Sequence, residues 1–407
     1  MSAAPPLPAL EPPPRLGERA LFPDLRPRAY LAHAAIGIPP LPARAAARAC
    51  ADDVAARGAE AFPTWVAQRD RLRGALARFL GAEGPETIAL VAGTTRGVID
   101  IARSIAWRPG ERVLLFEGEF PANVTPWQAV ARDHALEPVF APLEGFDDGS
   151  GLGLERLEQE LRRGVRLVAL SAVEFQTGLA LPLQEIGALC RAHGAELFVD
   201  AIQAAGALPL DVARDGVDYL VSGAHKWLGG LEGAGFAYVA PARARALVPR
   251  VAGWLSHQDA LRFLFEGAGH LRYDRNFKQD ASLLEPGVGN ACGFAALEAA
   301  LAVLEALGAR EIAAHHQAYH DALEPGLLEL GCRSVRAADP AARSGILACL
   351  PPPGHELAAV AAGLAARGVS VSTPDGYLRF APHWSNALAE VEHVLAAFAQ
   401  VVGASAP

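Results

Sequence analysis

AELFVDAIQAAGALPLDVARDGVDYLVSGAHKWLGG, residues 195–230, holds two short apolar runs, AELFVD (195–200) and VDYLVSG (217–223), separated by a Gly-, Pro- and Asp-containing stretch. Runs of this length bounded by turn residues predict buried strands. The first ends on Asp200, and Lys226 follows the second by three residues. Outward from this stretch, ETIALVAG (86–93), ERVLLFEG (111–118), VRLVALS (165–171) and GFAYVA (235–240) repeat the strand pattern. Amphipathic helical patterns such as TRGVIDIARSI, LERLEQELRR and LQEIGALCRAHG lie between them. Strand and helix in alternation predict an α/β fold with a mainly parallel sheet covered by helices. Ligands of such sheets sit at the carboxyl ends of the strands, where Asp200 and Lys226 both arrive.

The chain divides by pattern. An Ala- and Arg-rich helical region runs from about residue 45 to 80, and a long helix begins near Asn290. Beyond it SGILACLP (344–351), GVSVS (368–372) and YLRFAP (377–382) read as strands, with helices from about Glu356 and Ala387. We expect a large domain over residues 45–305 and a smaller α+β domain over 306–407. Residues 1–44 form an N-terminal arm expected to pack on the small domain.

A hydrophobic content of 51% with 20% charged residues suits a globular chain with a large core. The net charge of -9 argues against a nucleic-acid partner. Apolar stretches are broken well short of a membrane span, and the N-terminus lacks the pattern of a secretory signal. Cys50, Cys190, Cys292, Cys332 and Cys349 follow no CxxC spacing, and are expected as buried reduced thiols in a cytoplasmic protein. His316 and His320 stand four apart, a zinc-compatible spacing, but with no third ligand in evidence a solvated helix face is expected and no metal.

Of 36 basic side chains only Lys226 and Lys278 are lysine. Arginine stays protonated, whereas a desolvated lysine loses its proton and attacks a carbonyl to form a Schiff base. That makes Lys226 a candidate nucleophile. A carboxylate at a buried strand end, Asp200, calls for a cation or several donors; a protonated pyridine nitrogen is one such partner, and a helix N-cap role is the alternative. VAGTTRGVIDIARSI opens a helix at Thr94 and Thr95, where free N–H groups suit a phosphate or the threonines simply cap. Phe120 in EGEFPANVTPW can stack on a flat heterocycle or plug the core. Arg379 in GYLRFAPHWSN can grip a carboxylate or form a structural ion pair. Jointly these parts specify pyridoxal 5'-phosphate (PLP), an electron-sink cofactor.

VDAIQAAGALPLDV, SGAHKWLGGLEGAGFAYV, GEFPANVTPW and GYLRFAPHWSN resemble the class V aminotransferase family of fold-type I PLP enzymes, which includes cysteine desulfurases, selenocysteine lyases and kynureninase-like and isopenicillin N epimerase-like enzymes. The resemblance runs from residue 30 to about Phe398. It implies that Lys226 carries the cofactor and shuttles protons, and that Asp200 holds the pyridine nitrogen protonated. It further implies Gln203 near the ring's phenolic oxygen, Thr94, Thr95 and His225 on the phosphate, Phe120 on the ring face and Arg379 on the substrate carboxylate. A homodimer with interface active sites is implied too, LRYDRNFKQDASLLEPGVGN reaching the neighbouring site.

Departures from the family matter. Desulfurases carry histidine where Phe120 stands, and a loop cysteine where VSTPDG (371–376) has none, so no persulfide can be collected there. Val288 replaces a threonine that reaches the other subunit's phosphate, and the roles of Glu174 and Gln176 in VEFQTG stay open. The reading is a lyase that β-eliminates a cysteine-like amino acid. An aminotransferase or epimerase of the same family is the alternative. A non-catalytic PLP-binding sensor would carry a DNA-binding module, and no helix-turn-helix pattern precedes residue 45.

Overall fold

The structure, a computed structural model, describes residues 10–403. Twelve strands are named here in chain order: β1 (Ala29–Tyr30), β2 (Ile88–Val91), β3 (Arg112–Phe116), β4 (Glu137–Ala141), β5 (Leu167–Ser171), β6 (Glu196–Asp200), β7 (Tyr219–Gly223), β8 (Gly235–Val239), β9 (Arg333–Ser334), β10 (Leu347–Leu350), β11 (Val369–Ser370) and β12 (Leu378–Phe380). Seven form one sheet in the order β2-β8-β7-β6-β5-β3-β4. Only β8 runs against the others, pairing antiparallel with both β2 and β7. The architecture is the α/β, mainly parallel sheet flanked by helices that the sequence predicts.

Alternation explains the uninterrupted apolar runs. On β3, Val113 and Leu115 enter one core beside Val98, Ile101 and Trp127, while Leu114 and Phe116 enter the other beside Leu157 and Phe146. Both faces are covered, so no position is left for a polar residue. Fully burying such a side chain contributes about 1.5–3 kcal/mol. In this sheet the strand absent from the sequence reading is β4: it is an edge strand, half-exposed, and contains Glu137 and Pro138, which removes the apolar signature.

The second sheet, β12-β10-β9, is antiparallel, and its core joins Leu347, Leu378 and Phe380 to Tyr319, Leu323, Val394 and Phe398. Two long helices, Ala291–Leu307 and Ala309–Glu329, meet at Gly308 with a 75° bend. Asn290 caps the first, its Oδ1 accepting from Gly293 N at 2.9 Å. β1 pairs in parallel with β11, and Ala29 and Leu31 enter the same core. Among the described residues no single helix is long and apolar enough to cross a membrane.

His316 and His320 do not lie on a solvated face: both are fully buried. The helix Ala309–Glu329 is packed on more than one side, Tyr319 and Leu323 entering the small core and His316 lying 5.3 Å from the Trp227 ring. Among the described residues no group of three His, Cys, Asp or Glu side chains is placed to hold a metal ion. The cysteines are free, but only Cys190, Cys332 and Cys349 are buried; Cys50 and Cys292 are half-buried and lie beside each other.

Candidate active site

The carboxyl ends of β5, β6 and β7 are level, with Ser171 opposite Asp200 and Asp200 opposite Val221. Lys226 follows in the turn after β7, and three successive carbonyls of that turn are held. Gly37 N donates to His225 O at 2.7 Å, Gly229 N to Lys226 O at 3.0 Å, and His383 Nε2 to Trp227 O at 2.7 Å. The first contact requires glycine, because a Cβ at residue 37 would lie 1.8 Å from Lys226 O. The Lys226 ammonium lies 5.9 Å from the centroid of the Phe120 ring, with no hydrogen bond or ion pair among the described residues. Burial lowers its pKa to about 8, against the opposing charge of Asp200 and with the help of Arg379.

Asp200 is 2% exposed. Its Oδ1 accepts from Ile202 N at 2.9 Å, a turn contact and not a helix cap, since turns and no helix follow β6, while Oδ2 has no hydrogen-bond partner among the described residues. Burial raises its pKa to about 6; the Ile202 N–H and Lys226 oppose the shift. A carboxylate poised this way is ionised fully by a cation placed against its free oxygen.

Helix Thr94–Ser104 begins at Gly93, whose φ of 145° only glycine adopts readily, and no side chain caps it. Thr94 Oγ1 accepts from Gly223 N at 2.9 Å, and Thr95 is exposed beside it. A Cβ on Gly223 would sit 3.1 Å from His225 Nδ1 and 3.3 Å from Thr94 Oγ1. The missing side chain leaves a cradle between a hydroxyl, an imidazole and free helix N–H groups, an arrangement that fits a phosphate.

Phe120 does not plug the core: it is 47% exposed and meets Phe175 edge-on at 5.2 Å. Arg379, by contrast, is buried, and no described carboxylate forms an ion pair with it. Its Nε donates to Ser372 Oγ at 2.9 Å and its Nη1 to Phe175 O, leaving Nη2 without a partner among the described residues. Burial lowers its pKa to about 10, with Glu174 opposing. Glu174 organises its own turn, accepting from Gln176 N, Thr177 N and Thr177 Oγ1. Gln176 donates to Asp375 Oδ2 at 2.8 Å, joining the turn after β5 to the turn before β12. Gln203 is more committed than the sequence suggests. Its Nε2 donates to Ala34 O at 3.0 Å and its Oε1 accepts from Trp227 Nε1 at 2.8 Å, so one amide hydrogen remains for a ligand.

Two features escape sequence reasoning. Glu119 accepts from Ser171 N and Ser171 Oγ, each at 2.5 Å, and from Asn123 Nδ2, tying the Phe120 loop to the strand end beside Asp200. Burial raises its pKa to about 7. Its sequence signal is an acid three residues beyond a buried strand, in EGEF. His383 and the arm residues Ala34 and Gly37 carry no local signal, because their partners are more than 150 residues away.

A lysine with a lowered pKa, a half-free buried carboxylate on the neighbouring strand and an uncapped phosphate cradle are the parts a PLP site needs. Fold and site define a fold-type I PLP-dependent enzyme. The aminotransferase class V family matches residues 64–382, and the chain belongs to it. The uncharacterized aminotransferase YcbU of Bacillus subtilis (strain 168) is 27% identical over 383 residues, 93% of this chain and 95% of that protein. A cysteine desulfurase of Serratia proteamaculans (strain 568) is 30% identical over 291 residues, 69% of this chain and 66% of that protein. Two solved structures of C-DES, described as a cystine C-S lyase, align at 26% identity. One holds glycine covalently linked to the PLP cofactor (TM-score 0.85, covering 94% of this chain and 99% of that one), and the other holds the reaction product cysteine persulfide (TM-score 0.84, 93% and 99%).

Proposed function

We propose that the enzyme is a PLP-dependent lyase that breaks the Cβ–S bond of a cysteine-derived amino acid and releases the sulfur rather than collecting it. The observation that carries this reading is where its thiols lie. The loop Ser372–Gly376 beside Arg379 contains no cysteine. Cys190, Cys332 and Cys349 are buried elsewhere, and Cys50 and Cys292 are engaged with each other. A desulfurase stores sulfur on an enzyme thiol, whereas here the leaving group must depart as a small thiol or persulfide. The likeness to a cystine C-S lyase supports this choice. The unpaired cysteines also support a reducing, cytoplasmic setting.

PLP, when bound, supplies the electron sink that makes the substrate's Cα–H acidic. Lys226 is the residue that holds it covalently and then takes the α-proton, and its lowered pKa keeps a neutral amine available near neutral pH. Asp200, through its free Oδ2, would keep the pyridine nitrogen protonated. Thr94, Thr95 and His225 would hold the phosphate, Phe120 would cover the ring and Gln203 would offer its remaining hydrogen to the ring oxygen. Arg379 binds the substrate α-carboxylate through Nη2. Departure of the β-sulfur yields pyruvate and ammonia as the carbon and nitrogen products.

A second copy of the chain completes the assembly. Phe265, Leu271 and Tyr273 are 60%, 61% and 88% exposed on the segment between β8 and the helix Ala291–Leu307, more apolar surface than water tolerates without use. Incubating the enzyme with a panel of amino acids and identifying products by mass spectrometry tests the reaction. Pyruvate with a released thiol or persulfide from cysteine or cystine is expected. A keto acid that depends on an added amino acceptor, or solvent deuterium at Cα with inversion, would replace elimination by transamination or epimerisation. Lys226→Ala is expected to abolish the visible absorbance of the bound cofactor.

A further inference from the structure

Three imidazoles are buried where the arm, the lysine turn and the small domain converge: His33, His316 and His383. Their rings and that of Trp227 form one cluster, with His383 5.3 Å from His33, 5.4 Å from His316 and 5.4 Å from Trp227. The hydrogen bonds within it have only one consistent assignment for neutral rings. Trp227 O can only accept, so His383 Nε2 carries the hydrogen across 2.7 Å. His383 Nδ1 is then an acceptor, and His316 Nε2, 3.2 Å away, must donate to it. His316 Nδ1 is left as a lone acceptor, and it is a buried nitrogen without a partner. Burial disfavours the cation on both rings, and no described carboxylate pairs with either.

We propose that His383, held in its Nε2–H form by His316, is a positioning residue for Lys226, joining the carboxylate-binding strand to the lysine turn. His383 lies four residues beyond Arg379, and its backbone is pinned by His383 N donating to Asn386 Oδ1 at 2.7 Å. Trp227, whose carbonyl it grips, is the residue after Lys226, and its indole is anchored separately by Gln203. The path from the Arg379 guanidinium to the Lys226 backbone is one short run of chain and one hydrogen bond. A carboxylate pulling on Arg379 therefore acts on the turn that carries the amine. The lone Nδ1 of His316 faces Gly345, where a Cβ would come within 2.9 Å, so the relay is closed to any side chain at that position.

This inference rests on Lys226 carrying the cofactor, and it is independent of which substrate is eliminated. The test compares holoenzymes of wild type, His383→Leu and His383→Gln. The glutamine amide restores a donor at the place of Nε2, while leucine fills the space without one. With leucine, kcat is expected to fall by ~10²-fold, the loss associated with a displacement of ~1 Å. KM should move less than about threefold, because Arg379 is untouched. The pH midpoint of the cofactor's visible absorbance should shift by about one unit, tenfold in the protonation constant. Glutamine should recover most of both losses. Leucine and wild type alike in kcat and midpoint, or glutamine as impaired as leucine, would overturn the proposal. Should His383→Leu fail to fold, 15N-histidine spectra of the wild-type holoenzyme decide: a neutral Nε2–H ring at His383 is expected, and an Nδ1–H or cationic ring sinks it. Wild type lacking visible absorbance altogether would instead remove Lys226 from its role.

Discussion

Gly37→Ala is the sharpest test of the site's geometry, because the residue lies on the arm and touches no reacting atom. A Cβ at residue 37 would fall 1.8 Å from the Lys226 carbonyl oxygen and 2.7 Å from its carbonyl carbon. Such contacts are not made below 3.0 Å, so about 1.2 Å must be found by moving the arm or the lysine turn. Both partners are backbone, and neither is free. Gly37 N is bonded to His225 O, and the turn is held at its far end by His383. Moving the turn by ~1 Å is expected to reduce kcat by ~10²-fold. Overpacking of this kind destabilises by about 1–3 kcal/mol, which leaves the protein folded. The assay is kcat on whichever amino acid the product panel identifies, with circular dichroism and cofactor absorbance recorded alongside. Gly74→Ala is the control. It sits in helix Phe62–Phe79 with its nearest would-be contact, Arg78 Nη1, at 3.7 Å, and should gain about 0.5–1 kcal/mol of stability with unchanged kcat. A folded, cofactor-bound Gly37→Ala protein with kcat within about threefold of wild type would refute the claim that this carbonyl contact sets the lysine's place.

Arg379→Ala should raise KM for α-amino acids by about 10- to 100-fold, the range for losing a charged hydrogen bond, with a smaller change in kcat; an unchanged KM would remove Arg379 from substrate binding. Glu119 has a folded pKa raised from 4.5 to about 7, so its contribution to stability is full below pH 4.5 and is lost as pH rises through about 7. Glu119→Gln should flatten the fall in Tm of the cofactor-free protein between about pH 5 and 8, and an unaltered slope would show that this carboxyl does not titrate there. Light scattering should give twice the chain mass, and Leu271→Asp with Tyr273→Asp should return the protein to the mass of one chain; a monomeric wild type would rule out the second copy.

How much the sequence reveals depends on the distance over which a residue's meaning is decided. The strands bordering Asp200 and Lys226 are legible because burial on both faces writes a continuous apolar run, as on β3. Asp200 and Lys226 themselves stand out by breaking such runs. β4 is illegible because an edge strand tolerates Pro138 and exposed positions at Glu137 and Phe140. The histidine pair 316 and 320 misleads: a four-residue spacing says only that both share a helix face, and what covers that face is settled by Trp227 and the sheet of β12, β10 and β9. Gln203 shows the same limit, since its partners Ala34 and Trp227 come from the arm and the lysine turn.

The arm has a bearing on how the protein is made. Ala29 and Tyr30 find their strand partners in Val369 and Ser370, which are synthesised long after them. Pairings that span so much of a chain form late, after the intervening loop has been closed. Until then Gly37 has no fixed seat against the lysine carbonyl, and β12 with Arg379, and His383 just beyond it, have not been synthesised. The coenzyme grip therefore stays incomplete while the large sheet forms, and loading with coenzyme is expected only after residues 369–383 have been made and have docked.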